Sequence, residues 1–126
     1  MRTDRYGVID VEGSHGKSFP ATNLERTLVG IAVRSVYSGG VAKVQNAYRL
    51  ARGRLSVISL AKTLQDLGSV YPYHQVIGFY LERAGFSEKE VALFSEMEQT
   101  FDFYLTHGMK ERAYSQKWRL YYPADL

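Results

Sequence analysis

The chain has 126 residues, 45% of them apolar and 23% charged, with a net charge of +3 and no cysteine. That length suits one domain with a real hydrophobic core, and the absence of cysteine excludes disulfides, thiolate catalysis and thiolate zinc sites together. No apolar run approaches the ~18–20 residues of a membrane span, and Met1–Arg5 lacks the apolar core of a signal peptide, so a soluble cytoplasmic protein with no membrane partner is expected.

Residues Tyr6 to Val11 read as a short strand, closed by the turn-rich Glu12-Gly13-Ser14-His15-Gly16. Thr22-Asn23-Leu24-Glu25 has the form of a capping box, opening a helix to about Val33 whose inner face holds Leu24, Leu28 and Ile31. Ser38-Gly39-Gly40 interrupts the chain. A second helix is predicted from Val41 to about Arg52, with Val41, Val44, Ala47, Tyr48 and Ala51 inward and Gln45, Asn46, Arg49 and Arg52 outward. Ser56 can cap a third helix that ends near Gly68. Pro72 precedes a fourth, amphipathic helix with Val76, Ile77, Tyr80, Leu81 and Ala84 on its apolar face, closed by Gly85. Ser87-Glu88-Lys89-Glu90 is a second capping box and starts a fifth helix to about Glu98.

The pattern then changes period. Phe101, Phe103 and Leu105 alternate with Asp102, Tyr104 and Thr106, and Trp118, Leu120 and Tyr122 alternate with Lys117, Arg119 and Tyr121. These segments predict a C-terminal antiparallel pair, joined by the N-terminal strand. The expected fold is α+β, with about five helices packed on one face of a small, mainly antiparallel sheet.

Charge is distributed unevenly. No acidic residue lies between Glu25 and Asp66, whereas Arg26, Arg34, Lys43, Arg49, Arg52, Arg54 and Lys62 all do. Such a segment suits a polyanion, either a nucleic acid or an acidic protein face; the plainer reading is a solvated helix face. The outer face of the second helix, Gln45, Asn46, Arg49 and Arg52 with Arg54 just beyond, is the leading candidate surface, because arginines and amides can hold phosphates. Arg26 and Arg34 form a second stripe around Gly30. A mid-helix glycine costs roughly 1 kcal/mol against alanine, so a packing contact or a close partner is expected there.

Phe19-Pro20-Ala21-Thr22-Asn23-Leu24-Glu25-Arg26-Thr27-Leu28 followed by Arg34, then Tyr37-Ser38-Gly39-Gly40-Val41, then Ile77-Gly78-Phe79-Tyr80-Leu81-Glu82-Arg83-Ala84-Gly85, resembles AbiEi-type antitoxins of type IV, abortive-infection toxin–antitoxin systems. The resemblance implies a non-enzymatic cytoplasmic phage-defence protein opposing a nucleotidyltransferase-type toxin, typically without a stable complex. It also implies DNA binding and transcriptional regulation through an N-terminal winged helix. The segment before Phe19 is too short for that domain, so the whole chain is expected to be one domain like the antitoxin C-terminal domain. An acidic residue is frequent in the family where this chain has Gly30.

Two further function classes stay open on the residues themselves. One is a stand-alone nucleic-acid-binding protein; Tyr104 and Tyr121, opposite the apolar strand phase, could stack on bases unless a second layer covers them. The other is a metal-dependent nuclease built on Glu96, Glu98, Asp102 and Lys117, against which Asp102 has the simpler role of a cross-strand ion pair with Lys117 or Arg119. His15, His74 and His107 fall in three different elements without metal spacing. No cofactor, metal site or catalytic residue is expected.

Overall fold

The computed structural model describes residues 8–10, 20–68, 71–99 and 101–126. Strands β1 (Val8–Asp10) and β2 (Pro20–Thr22) form a two-stranded antiparallel sheet, with Ile9 opposite Ala21. Five helices follow: α1 (Leu24–Ser38), α2 (Val41–Ala51), α3 (Val57–Leu67), α4 (Tyr73–Arg83) and α5 (Glu88–Ser95). Strands β3 (Phe103–Tyr104), β4 (Arg112–Ser115) and β5 (Leu120–Pro123) close the chain in a second sheet of order β3-β5-β4. The α+β class is as expected. Tyr6, Val11 and the Glu12–Gly16 turn lie outside the described residues.

Local chemistry sets most boundaries. Asn23, one residue later than the Thr22 expected from sequence, caps α1: its Oδ1 accepts from the Arg26 amide at 2.9 Å. Glu25 does not reach back to close a capping box; its carboxylate accepts from the Ser56 amide at 2.9 Å and ties the start of α3 to the start of α1. Helix α1 runs past Val33 to Ser38 because Ser35 and Val36 continue its buried stripe. Gly39, at φ 82°, ends it, donating its amide to the Ser35 carbonyl at 3.0 Å. Ser56 caps α3 through the Ser59 amide, and the Ser87–Glu90 capping box is complete. Helix α5 stops at Ser95, short of Glu98.

Helix α4 departs most from its sequence pattern. Rather than one apolar stripe, it buries Tyr73 and every residue from Gln75 to Leu81. It packs against each of the other four helices, and the inner face of the C-terminal sheet covers its remaining side, so Gln75 and Gly78 are enclosed. A Cβ at Gly78 would overlap the Trp118 ring. The Gln75 amide donates to the carbonyls of Trp118 at 2.8 Å and Arg119 at 3.0 Å, at the β4–β5 turn. At the end of the same helix, Glu82 accepts from the Trp118 indole at 2.7 Å and from Lys117 at 2.6 Å.

The C-terminal sheet corrects the expected pairing. Phe103–Tyr104 lies parallel to Leu120–Tyr121, and the antiparallel partner of β5 is β4, which lies in sequence between the two segments expected to pair. A parallel pair needs a crossover; here the chain leaves β3, returns along β4 at the other edge, and turns into β5 between them. The N-terminal strand pairs with β2 and not with this sheet. Phe103, Leu120 and Tyr122 face inward, with Tyr122 4.8 Å from Phe79 and Phe103 5.8 Å from Tyr73, ring to ring.

Because the Gly78–Trp118 contact leaves no space for a methyl group, Gly78→Ala is expected to cost about 1–3 kcal/mol through overpacking, read from the urea midpoint of Trp118 fluorescence; an unchanged midpoint would disprove the seat. The Glu82 carboxyl makes a second prediction. Burial pushes its pKa up, but the bonds from Lys117 and Trp118 and the Lys117 charge outweigh this and hold it below its ordinary 4.5. A depressed carboxylate stabilises the fold above its ordinary pKa, and that contribution is lost as pH falls through the folded value. Glu82→Gln should therefore lose less stability than the parent between about pH 5 and about pH 3, compared by urea titration at both values.

Candidate functional site

The expected outer face of α2 divides in two. Gln45 is buried, 4% exposed, and its amide donates to the Tyr80 carbonyl at 3.1 Å. Arg52 reaches the end of α4, donating to the Ala84 carbonyl at 3.1 Å and lying across Gly85. Both residues join helices; Gln45 leaves the surface, whereas Arg52 stays exposed along its length. Sequence periodicity placed them outward because a helix wheel shows where a side chain departs, not what is packed beside it. Asn46, Arg49 and Arg54 are exposed.

On α1, Arg34 is exposed and Arg26 half-buried. The expected packing reason for Gly30 is not seen: among the described residues a Cβ there would meet only the Arg34 guanidinium, at 3.6 Å. The consecutive left-handed glycines Gly39 and Gly40, at φ 82° and 79°, turn the chain between α1 and α2. This turn brings Arg34 and Lys43 into one cleft of about 270 Å³ floored by Ile31 and Val44. Among the described residues the ion pairs are Lys117–Glu82 and Arg119–Asp102, so Arg34, Lys43, Arg49, Arg54 and Lys62 have no carboxylate partner there.

The outer face of the C-terminal sheet holds the feature that sequence reasoning saw in part. Tyr104, Tyr121 and Tyr114 are register partners on β3, β5 and β4, forming one row across all three strands. Their ring centroids lie 6.0 and 4.9 Å apart, and the Arg112 guanidinium sits 5.3 Å over the Tyr121 ring. Tyr104 and Tyr114 are 40% and 43% exposed, so no described residue layer covers them. Arg112 and Tyr114 went unnoticed because the Arg112-Ala113-Tyr114-Ser115 alternation is only four residues long. That alternation was the available signal.

The acidic grouping considered for metal chemistry is not assembled. Asp102 accepts from the Tyr114 hydroxyl at 2.7 Å and from Arg119 at 3.2 Å; these bonds, Tyr114 foremost, hold its carboxyl below the usual range against a smaller effect of burial. Lys117 is bound to Glu82. No group of three or more metal-ligating side chains occurs among the described residues. His74 pairs with the Glu98 carbonyl at 2.8 Å, while burial lowers its imidazole pKa; His107 is exposed, and His15 lies outside the described residues. No described helix is long and apolar enough to cross a membrane.

Compared with protein families, with curated proteins and with solved structures, the chain finds no match.

The divided α2 face yields a direct test. Arg52→Ala should lower stability by about 1 kcal/mol, through loss of a bond to a helix C-terminal carbonyl, whereas Arg49→Ala should change it by less than about 0.5 kcal/mol. Urea titration of both variants checks this; equal effects would place Arg52 back among the solvated cations.

Proposed function

We propose that this chain is a non-catalytic antitoxin or regulatory module of a type IV, abortive-infection toxin–antitoxin system, opposing a nucleotidyltransferase-type toxin through the basic surface of α1, α2 and the start of α3. One observation carries this reading. The segment without acidic residues folds into consecutive helices whose cations Arg34, Lys43, Arg49, Arg54 and Lys62 stay exposed, in no ion pair among the described residues. Such a surface favours a polyanionic partner, a nucleic acid or an acidic protein face, by adding long-range attraction to contact.

The segments that carry the family resemblance lend support. They are the start of α1, the α1–α2 turn and most of α4, and α1 packs against α4. The surface needs no catalytic group for this role: it can act by occupying the toxin's partner or by meeting the toxin.

Growth rescue tests the reading. Co-expression with a nucleotidyltransferase-type toxin of a type IV system, taken from the same genome as this chain, should restore colony counts to those without toxin. The combined variant Arg34→Glu, Lys43→Glu, Arg49→Glu changes only exposed side chains and should abolish rescue while remaining soluble. Failure of the parent chain, with both proteins soluble, would refute the antitoxin reading; full rescue by the triple variant would remove the surface from it.

A further inference from the structure

We propose that the outer face of the C-terminal sheet binds single-stranded nucleic acid, with its tyrosine row stacking on unpaired bases and neighbouring cations holding phosphates. Flat rings presented on a sheet are a general solution for unpaired bases, since every base has a π-face; a groove of cations beside them tracks the backbone. Both parts are present and adjoin.

The row Tyr104–Tyr121–Tyr114 crosses the sheet, and its two outer rings are the exposed ones. From Tyr104 the ring path continues to His107 at 5.9 Å and from His107 to Tyr37 at 5.5 Å, with Tyr37 57% exposed at the end of α1. His107 also lines a cleft of about 480 Å³ with Lys110, Gly39 and Gly40. The same two glycines line the Arg34–Lys43 cleft, so the two clefts adjoin at the α1–α2 turn. Arg112 adds a cation directly over the row.

Charge favours this occupant over a protein. Among the described residues, the Asp102 carboxylate beside β3 is already bonded to Tyr114 and Arg119. Glu111 and Asp125 share the larger cleft with Lys110 and confine phosphates to its other wall and to the Arg34–Lys43 side. The outer strand positions Tyr104, Arg112, Tyr114, Tyr121 and Pro123 carry no acidic side chain and one cation, which suits a polyanion. A duplex would keep its base faces stacked internally and out of reach of the rings.

Fluorescence anisotropy of the purified chain with labelled oligo(dT) and oligo(U) of about twelve nucleotides, beside a duplex of equal length, tests the proposal without reference to antitoxin activity. The single strands should bind more tightly than the duplex. Tyr104→Ala and Tyr114→Ala should each weaken binding on the order of tenfold, and Tyr104→Phe should retain it, because phenylalanine keeps the ring and loses only the hydroxyl. Arg34→Gln with Lys43→Gln should flatten the salt dependence by about 0.7 per cation. Absence of single-strand binding, equal binding of duplex, unchanged alanine variants, or a Tyr104→Phe variant as weak as Tyr104→Ala would each overturn it.

Discussion

The Trp118 ring lies against the bare backbone of Gly78, and the arrangement of the rest of the chain depends on that contact. Helix α4 can be covered on its sheet side only because position 78 has no side chain. The hairpin that carries Trp118 is then held by three polar bonds from two residues about two turns apart on the same helix: Gln75 to the Trp118 and Arg119 carbonyls, and Glu82 to the indole nitrogen. A buried amide and a carboxylate are costly to desolvate, and their value here is specificity: they fix the register in which an otherwise apolar sheet meets the helix. Arg119, in the same turn, takes φ 49°, a conformation uncommon for a residue with a side chain.

A second junction ties the sheet to α1. The Thr106 hydroxyl donates to the Ser35 carbonyl at 2.7 Å, and the His107 amide donates to the Val36 carbonyl at 2.9 Å. The chain leaving β3 thus adds a second donor to the Ser35 carbonyl, which also accepts from Gly39, and supplies one to the Val36 carbonyl near the end of α1. Inside, Tyr48 and Tyr80 stack at 5.3 Å, and the Tyr48 hydroxyl donates to the Leu28 carbonyl at 2.8 Å. Burial pushes the Tyr80 phenol up to about 12, opposed by its bond to Ser35. These tyrosines are core residues with a satisfied polar end. The tyrosines of the sheet's outer face are the opposite case, since their rings are held in a row by strand register and left open to solvent.

The two junctions explain why the basic and aromatic surfaces meet. Joining α1 to the segment after β3 places His107 beside Tyr37, and the Gly39-Gly40 turn starts α2 at the same corner. Cations from the first half of the chain and rings from the last quarter then share one edge of the molecule. Neither group approaches the other in sequence.

Much of this was legible in the residues. Period and punctuation located all five helices, because capping hydroxyls, left-handed glycines and apolar stripes act within a few residues of one another. The acid-free basic segment and the outward phase of Tyr104 and Tyr121 were visible for the same reason. What sequence could not decide was which neighbour each face would meet. Gln45 stood outward on the helix wheel until α4 arrived beside it; α4 read as amphipathic until the sheet covered its polar side. Strand β4 was too short to show a period, and the parallel pairing of β3 with β5 depended on it. Local conformation is set by local sterics and hydrogen bonds, so the sequence by itself determined the helices and the charge pattern. Burial, strand order and the meeting of basic and aromatic surfaces depend on contacts between residues distant in the chain, so only the tertiary structure decided them.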